Sequence, residues 1–258
     1  MTRRIVITSG KGGVGKTTLT ALLGRELAKR GRRTVVCDLD FGLNNLDMVL
    51  GAERLVTFDL ADVVFGRCRL KQALVADESL PDLLLLPSRR AYASDGISGQ
   101  RIKAAMEGLR PYADYLLLDS PAGLDIGFHR AVSSADEAIV VVTPSPLSVR
   151  DADKTLSLLH SYGMRQIFLV VNRVRGELLA DGETLSPEEI ARLLKTPLVG
   201  VIGEDEGLLL GKKGSRFTAR SVALLAENLD KGKNRTADPS ARYRGVLGSI
   251  RRRIKRSV

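Results

Sequence analysis

The sequence predicts a doubly wound α/β fold on a mostly parallel sheet. Three observations carry that expectation. Short continuous apolar runs recur along the chain, as strands buried on both faces require. Helical segments lie between successive runs, the alternation of a crossover-connected sheet. A glycine-rich turn joins the first strand to the first helix. The chain has 258 residues, a length at which α/β folds often form one unit although domains average about 150.

Strands are expected, in order, at Ile5–Thr8, Thr34–Asp38, Leu83–Leu86, Tyr115–Asp119, Ala138–Thr143, Ile167–Asn172 and Leu198–Ile202. Most read as unbroken apolar stretches, such as YLLLD, rather than as alternating ones. Helices are expected at Thr17–Arg30, Gly99–Leu109, Val149–Tyr162, Pro187–Lys195 and Ser221–Leu229. No internal repeat is visible. The pattern predicts a domain over 1–229, a flexible linker over 230–240 (DKGKNRTADPS) and a basic amphipathic segment over 241–258.

Composition narrows the function classes. Aromatics are 4 % of the chain and Trp is absent, which suits a Leu/Val/Ile core better than a base-stacking surface. Cys37 and Cys68 have no partner spacing for zinc, an iron–sulfur cluster or a disulfide framework, and a reducing cytoplasm is expected. No secretory signal and no membrane-spanning stretch are read in the sequence, so membrane contact is expected to be peripheral. The net charge is +10. Ten basic residues against Asp238 alone give residues 231–258 a net +9, which leaves the body at +1. A nucleic-acid-coating surface on the body is not indicated, and DNA is not an expected partner.

The chemistry centres on Gly10-Lys11-Gly12-Gly13-Val14-Gly15-Lys16-Thr17-Thr18, between a strand and a helix. Its glycines permit positive φ and let backbone N–H groups close around phosphate oxygens. The following helix adds its N-terminal dipole. Lys16 is expected to reach the β- and γ-phosphates and Thr17 to ligate Mg²⁺, so ATP and Mg²⁺ are the expected cofactors. Asp119 ends a strand where a carboxylate holds the magnesium shell. Ser120 to Gly123 form a turn suited to sensing the γ-phosphate. Asp38 and Asp40, two residues apart, point to one side of their strand. One of the pair is expected to position or activate the attacking water and the other to hold the metal shell. His129 and His160 are read as surface or packing residues.

In the tail, Tyr243, Val246, Leu247, Ile250 and Ile254 fall on one helical face. Arg244, Arg251, Arg252, Arg253, Lys255 and Arg256 fill much of the rest. Near an anionic bilayer each cation contributes about 1 kcal/mol, while the apolar face inserts. So short a helix, with Gly245 and Gly248 inside, is expected to be largely unfolded in water. Folding on the membrane reduces the net gain, and two copies bind far better than one.

The loop KGGVGKTT, with Lys11 preceding its standard lysine, resembles the deviant Walker-A ATPases of the MinD/ParA group. Within that group, TSGKGGVGKTT, DLDFGLNNLD, LLLDSPAGLDIGF, LVVNR and the basic amphipathic terminus are similar to the MinD branch over nearly the whole chain. The resemblance implies an ATP-dependent homodimer in which Lys11 reaches the partner subunit's phosphates, offsetting charge collected between two nucleotides. It implies that Asn172 contacts the adenine. It also implies division-site placement at the inner face of the cell membrane, recruitment of the septation inhibitor MinC, and stimulation by MinE or a related topology factor. Two positions depart from the pattern: Gly203 stands where proline is usual, and Asn44 where a basic residue is frequent.

Alternatives within the fold are a ParA-like or flagellar-number positioning ATPase. The first needs a basic body and the second usually carries an extra N-terminal helix. A nucleotide-dependent scaffold with negligible turnover is a third alternative, and the Asp38/Asp40 pair argues against it.

Overall fold

The structure, a computed structural model, describes residues 1–43, 45–88 and 96–256, without the side chains of residue 247 and of 253–256. The chain divides into two compact units, Met1–Val140 with Lys154–Ile167, and Val141–Asp153 with Phe168–Val258.

The first unit opens with β1 (Arg3–Thr8), α1 (Lys16–Lys29) and β2 (Thr34–Asp38). Short helices α2 (Leu46–Leu50) and α3 (Leu60–Val64) follow. Next come β3 (Val75–Asp77), β4 (Leu80–Leu86) and α4 (Gly99–Leu109). The unit continues with β5 (Tyr115–Asp119), α5 (Ile126–Val132) and β6 (Glu137–Val142). Its strands lie in the order β3-β4-β2-β5-β1-β6. Every pairing in that order is parallel except β3 with β4. All of β2 and β5 is buried, which explains their uninterrupted apolar sequences. In α1, Leu19, Leu23 and Leu27 recur every fourth residue on the buried face. Gly24 is there because α1 lies close on the sheet: a Cβ would fall 2.6 Å from Val36 Cγ1.

Helix α6 (Pro146–Ser161) and strand β7 (Gln166–Val174) carry the chain between the units. The second unit contains α7 (Gly176–Ala180), α8 (Pro187–Leu194), β8 (Leu198–Gly203) and α9 (Glu206–Leu209). It ends with α10 (Arg216–Lys231), a 3-10 turn over Ala241–Tyr243 and α11 (Gly245–Arg256). Strands β7 and β8 pair in parallel. Ser186 and Glu189 form a reciprocal capping box that starts α8.

All seven expected strands are present. Strand β3 is additional; it has three residues and buries mainly Val75, too short a pattern to stand out from a loop. Helix α10 begins at Arg216 rather than Ser221 because Ser215 caps it, accepting from the Thr218 N–H. Residues 233–238, in the expected linker, are irregular, and Asn228 holds Arg235 through its N–H at 3.1 Å and its carbonyl at 2.8 Å. Among the described residues no helix is long and apolar enough to cross a membrane.

Candidate nucleotide site and tail

Strand β1 ends at Thr8 and α1 starts at Lys16, so the glycine-rich loop is held at both ends by regular structure. Gly13 (φ 76°) and Gly15 (φ 94°) adopt left-handed conformations that side chains resist. Gly15 is the N-cap of α1, no side chain caps that end, and its first turn carries no acid. The orphan N–H donors of a helix start are thus left to an anion, which is what a phosphate cradle needs. Val14 turns inward, while Lys11, Gly12 and Gly13 are exposed. Thr18 is half-buried in the first turn of the helix.

Lys16 is buried, and its Nζ donates to Ser9 Oγ at 3.1 Å. Ser9 Oγ in turn donates to the carbonyl of Lys11 at 2.7 Å. Burial lowers the Lys16 pKa, against the opposing pull of Asp119 and Asp40. Thr17 acts to lower the Asp119 pKa, and Asp119 Oδ1 accepts from Thr20 Oγ1 at 3.3 Å.

Asp38 and Asp119 are register partners at the ends of β2 and β5. Burial, and then the Asp119 charge, push the Asp38 pKa up to about 8, although the N–H groups of Asp40 and Leu46 bond its oxygens. Burial pushes Asp119 up to about 7 despite the Thr17 hydrogen bond and Lys16. Two buried carboxylates this close favour a cation between themselves and a phosphate. Among the described residues no three His, Cys, Asp or Glu side chains group to hold a metal. A cation here would therefore complete its shell with phosphate and water oxygens, as magnesium does at nucleotide sites. The residues thus fit a magnesium nucleotide.

Asp40 is half-buried and accepts the N–H groups of Gly42 and Leu43 at 3.1 Å each. The turn after β5 also meets the loop: a Cβ on Gly12 would sit 3.6 Å from the Ala122 Cβ. The sequence does not single out Ser9, Thr20 or Ala122, because small residues at such positions carry no motif. A cleft of about 580 Å³ elsewhere in this unit, bordered by Arg25, Arg54 and Asp77, includes no loop residue. His129 bonds the exposed Tyr162 hydroxyl through Nδ1 at 2.8 Å.

In the second unit, Asn172 is half-buried where β7 breaks register with β8, beside Arg173 at φ 55°. Gly203 ends β8, and a Cβ there would lie 3.1 Å from the Phe217 ring. Asn44 lies outside the described residues.

Along α11, Val246 and Ile250 are 83 % and 53 % exposed, and Arg251 is exposed. The expectation for Tyr243 needs correction. It ends the preceding 3-10 turn, off the helical face, and is buried because Gly176 leaves room for its ring. Sequence periodicity cannot detect this change of conformation at Arg244. Leu247, Arg253, Ile254 and Lys255 lie outside the residues whose side chains are described.

Residues 5–216 match the CobQ/CobB/MinD/ParA nucleotide binding domain family. The septum site-determining protein MinD of Synechocystis sp. is 39 % identical over 263 residues, 98 % of this chain and 99 % of that protein. The MinC:MinD cell division protein complex of Aquifex aeolicus matches with a TM-score of 0.82 at 39 % identity, covering 90 % of this chain and 96 % of that one. The septum site-determining protein MinD of Pyrococcus horikoshii, complexed with Mg-ADP, matches with a TM-score of 0.78 at 31 % identity, over 90 % of this chain and 97 % of that one.

Proposed function

The chain belongs to the CobQ/CobB/MinD/ParA nucleotide-binding family, and from that premise we propose that it is a MinD-type, magnesium-dependent ATPase that places the cell-division site. The carrying observation is the uncapped start of α1 facing a buried, in-register carboxylate pair, with an exposed lysine in the same loop.

The residues divide the work. Backbone N–H groups of Gly12 to Lys16 and the Lys16 ammonium bind the β- and γ-phosphates. Magnesium, when bound, supplies charge that offsets the negative charge of the phosphates. Thr17, Asp119 and Asp38 are the side chains that would hold its shell. Asp40, nearer solvent than Asp38, orients the attacking water. Asn172 binds the adenine. Lys11 extends to the phosphates of a second copy, making dimerisation depend on ATP.

The dimer presents two tails to the inner face of the cell membrane, so ATP binding recruits the protein and hydrolysis releases it. MinC is the recruited partner, and MinE or a related topology factor is the stimulator; MinC accompanies MinD in the matching Aquifex complex. The near-neutral body gives no support to the ParA-like alternative.

Co-sedimentation with vesicles tests this reading. Binding should require ATP and anionic lipid, should weaken with salt, and should be absent with ADP or neutral lipid. Equal pelleting with ATP and ADP would refute the switch, and ATP-dependent binding to duplex DNA alone would favour the ParA-like reading.

A further inference from the structure

The tail helix is mounted on the second unit. Its footing is a buried stretch in which Ser240 and Tyr243 are 0 % and 4 % exposed. That footing packs on the start of α7, where a Cβ on Gly176 would meet the Pro239 carbonyl oxygen at 2.1 Å. Gly245, at φ 73°, re-aims the chain into α11. Gly248 is buried against the Tyr243 backbone, which a Cβ would approach to 2.2 Å. One turn further on, Arg252 Nε donates to Asp181 Oδ1 at 3.0 Å, just past the end of α7, and Arg252 Nη1 donates to the Tyr243 carbonyl. Val246 and Ile250 each lie two residues from Gly248, about 200° around the helix, Ile250 is also two residues from Arg252, and both are exposed.

We propose that Asp181, acting through Arg252, is a positioning residue that holds α11 folded with Val246 and Ile250 turned outward. A membrane then meets a rigidly mounted helix in place of a flexible tether. The inference rests on the reading of this tail as a membrane anchor and adds how the anchor is presented. Twelve residues with two glycines and a crowded basic face do not sustain a helix alone. The docked turn and the Arg252–Asp181 pair supply what the helix lacks, so less ordering remains for the bilayer to drive. A parked, self-inhibiting helix would hide Val246 and Ile250, whereas here both are exposed while Gly248 is buried and Arg252 reaches Asp181.

The test uses the full chain and two readouts: backbone hydrogen exchange over 245–252 without lipid, and ATP-dependent binding to phosphatidylglycerol vesicles. Asp181→Asn should speed exchange in α11 and weaken vesicle binding by about two- to fivefold, as a partly exposed ion pair allows. Combining Asp181→Arg with Arg252→Asp should restore protection in α11. Unchanged exchange in Asp181→Asn, or tighter vesicle binding, would overturn the proposal alone. Ile250→Glu should abolish vesicle binding with exchange unaltered. If Ile250→Glu still binds, the anchor reading fails, and the proposal falls with it.

Discussion

Asp38 and Asp119 face each other across β2 and β5 in direct register, and each is only 1 % exposed. Like charges buried together are costly unless a cation or a proton intervenes. The site therefore carries an electrostatic demand before any ligand arrives. Lys16 answers part of it, and a magnesium nucleotide would answer the rest. Asp40, two residues along, lies nearer solvent and is suited to water.

Asp40→Asn keeps an oxygen for the Gly42 and Leu43 N–H groups and removes only the charge. Phosphate release at saturating ATP should fall by about a hundredfold or more, while a fluorescent ATP analogue still binds. Loss of binding in parallel would make Asp40 a structural residue of its loop.

Lys11 is exposed. Lys11→Ala should melt within about 1 °C of wild type, as surface changes do. In size-exclusion chromatography with ATP it should elute as a monomer. A normal ATP-dependent dimer would exclude the cross-subunit lysine.

Asp205 caps α9 and also receives the Thr218 hydroxyl at 2.5 Å and the Ser215 N–H at 2.7 Å. Burial alone would raise its pKa, but these bonds outweigh it and hold the carboxyl down at about 2. The folded value lies below the unfolded one, so its contribution is present above about pH 4 and lost as pH falls toward 2. Asp205→Ala should therefore lower stability by roughly 1–2 kcal/mol at pH 7. Denaturant melts should show the gap from wild type closing below pH 4.

Gly24→Ala sets two effects against each other. Alanine favours the helix by up to about 1 kcal/mol. Its Cβ, however, would fall 2.6 Å from the stiff Val36 side chain, and overpacking costs about 1–3 kcal/mol. The clash should win, lowering the urea midpoint with the slope unchanged.

The loop was legible because its parts are contiguous: glycines, lysines and threonines act through backbone dihedrals within a few residues. The strand-end acids were legible because buried parallel strands leave unbroken apolar runs behind them. Strand β3 was not, since three residues carry too little period. Asp205 and Asp181 were not, because their partners lie up to 71 positions away, at Arg252 for Asp181, and no local pattern links them.

The sequence by itself determined the phosphate loop, the order of the longer strands and helices, and the concentration of charge in the tail. These are local or additive properties, written in neighbouring residues. Only the tertiary structure decided that Asp38 lies beside Asp119, that Tyr243 is footing rather than membrane face, and that Arg252 turns inward to Asp181. Such facts follow from register and packing between distant segments. They are selected by the free energy of the whole arrangement, so short-range spacing does not encode them.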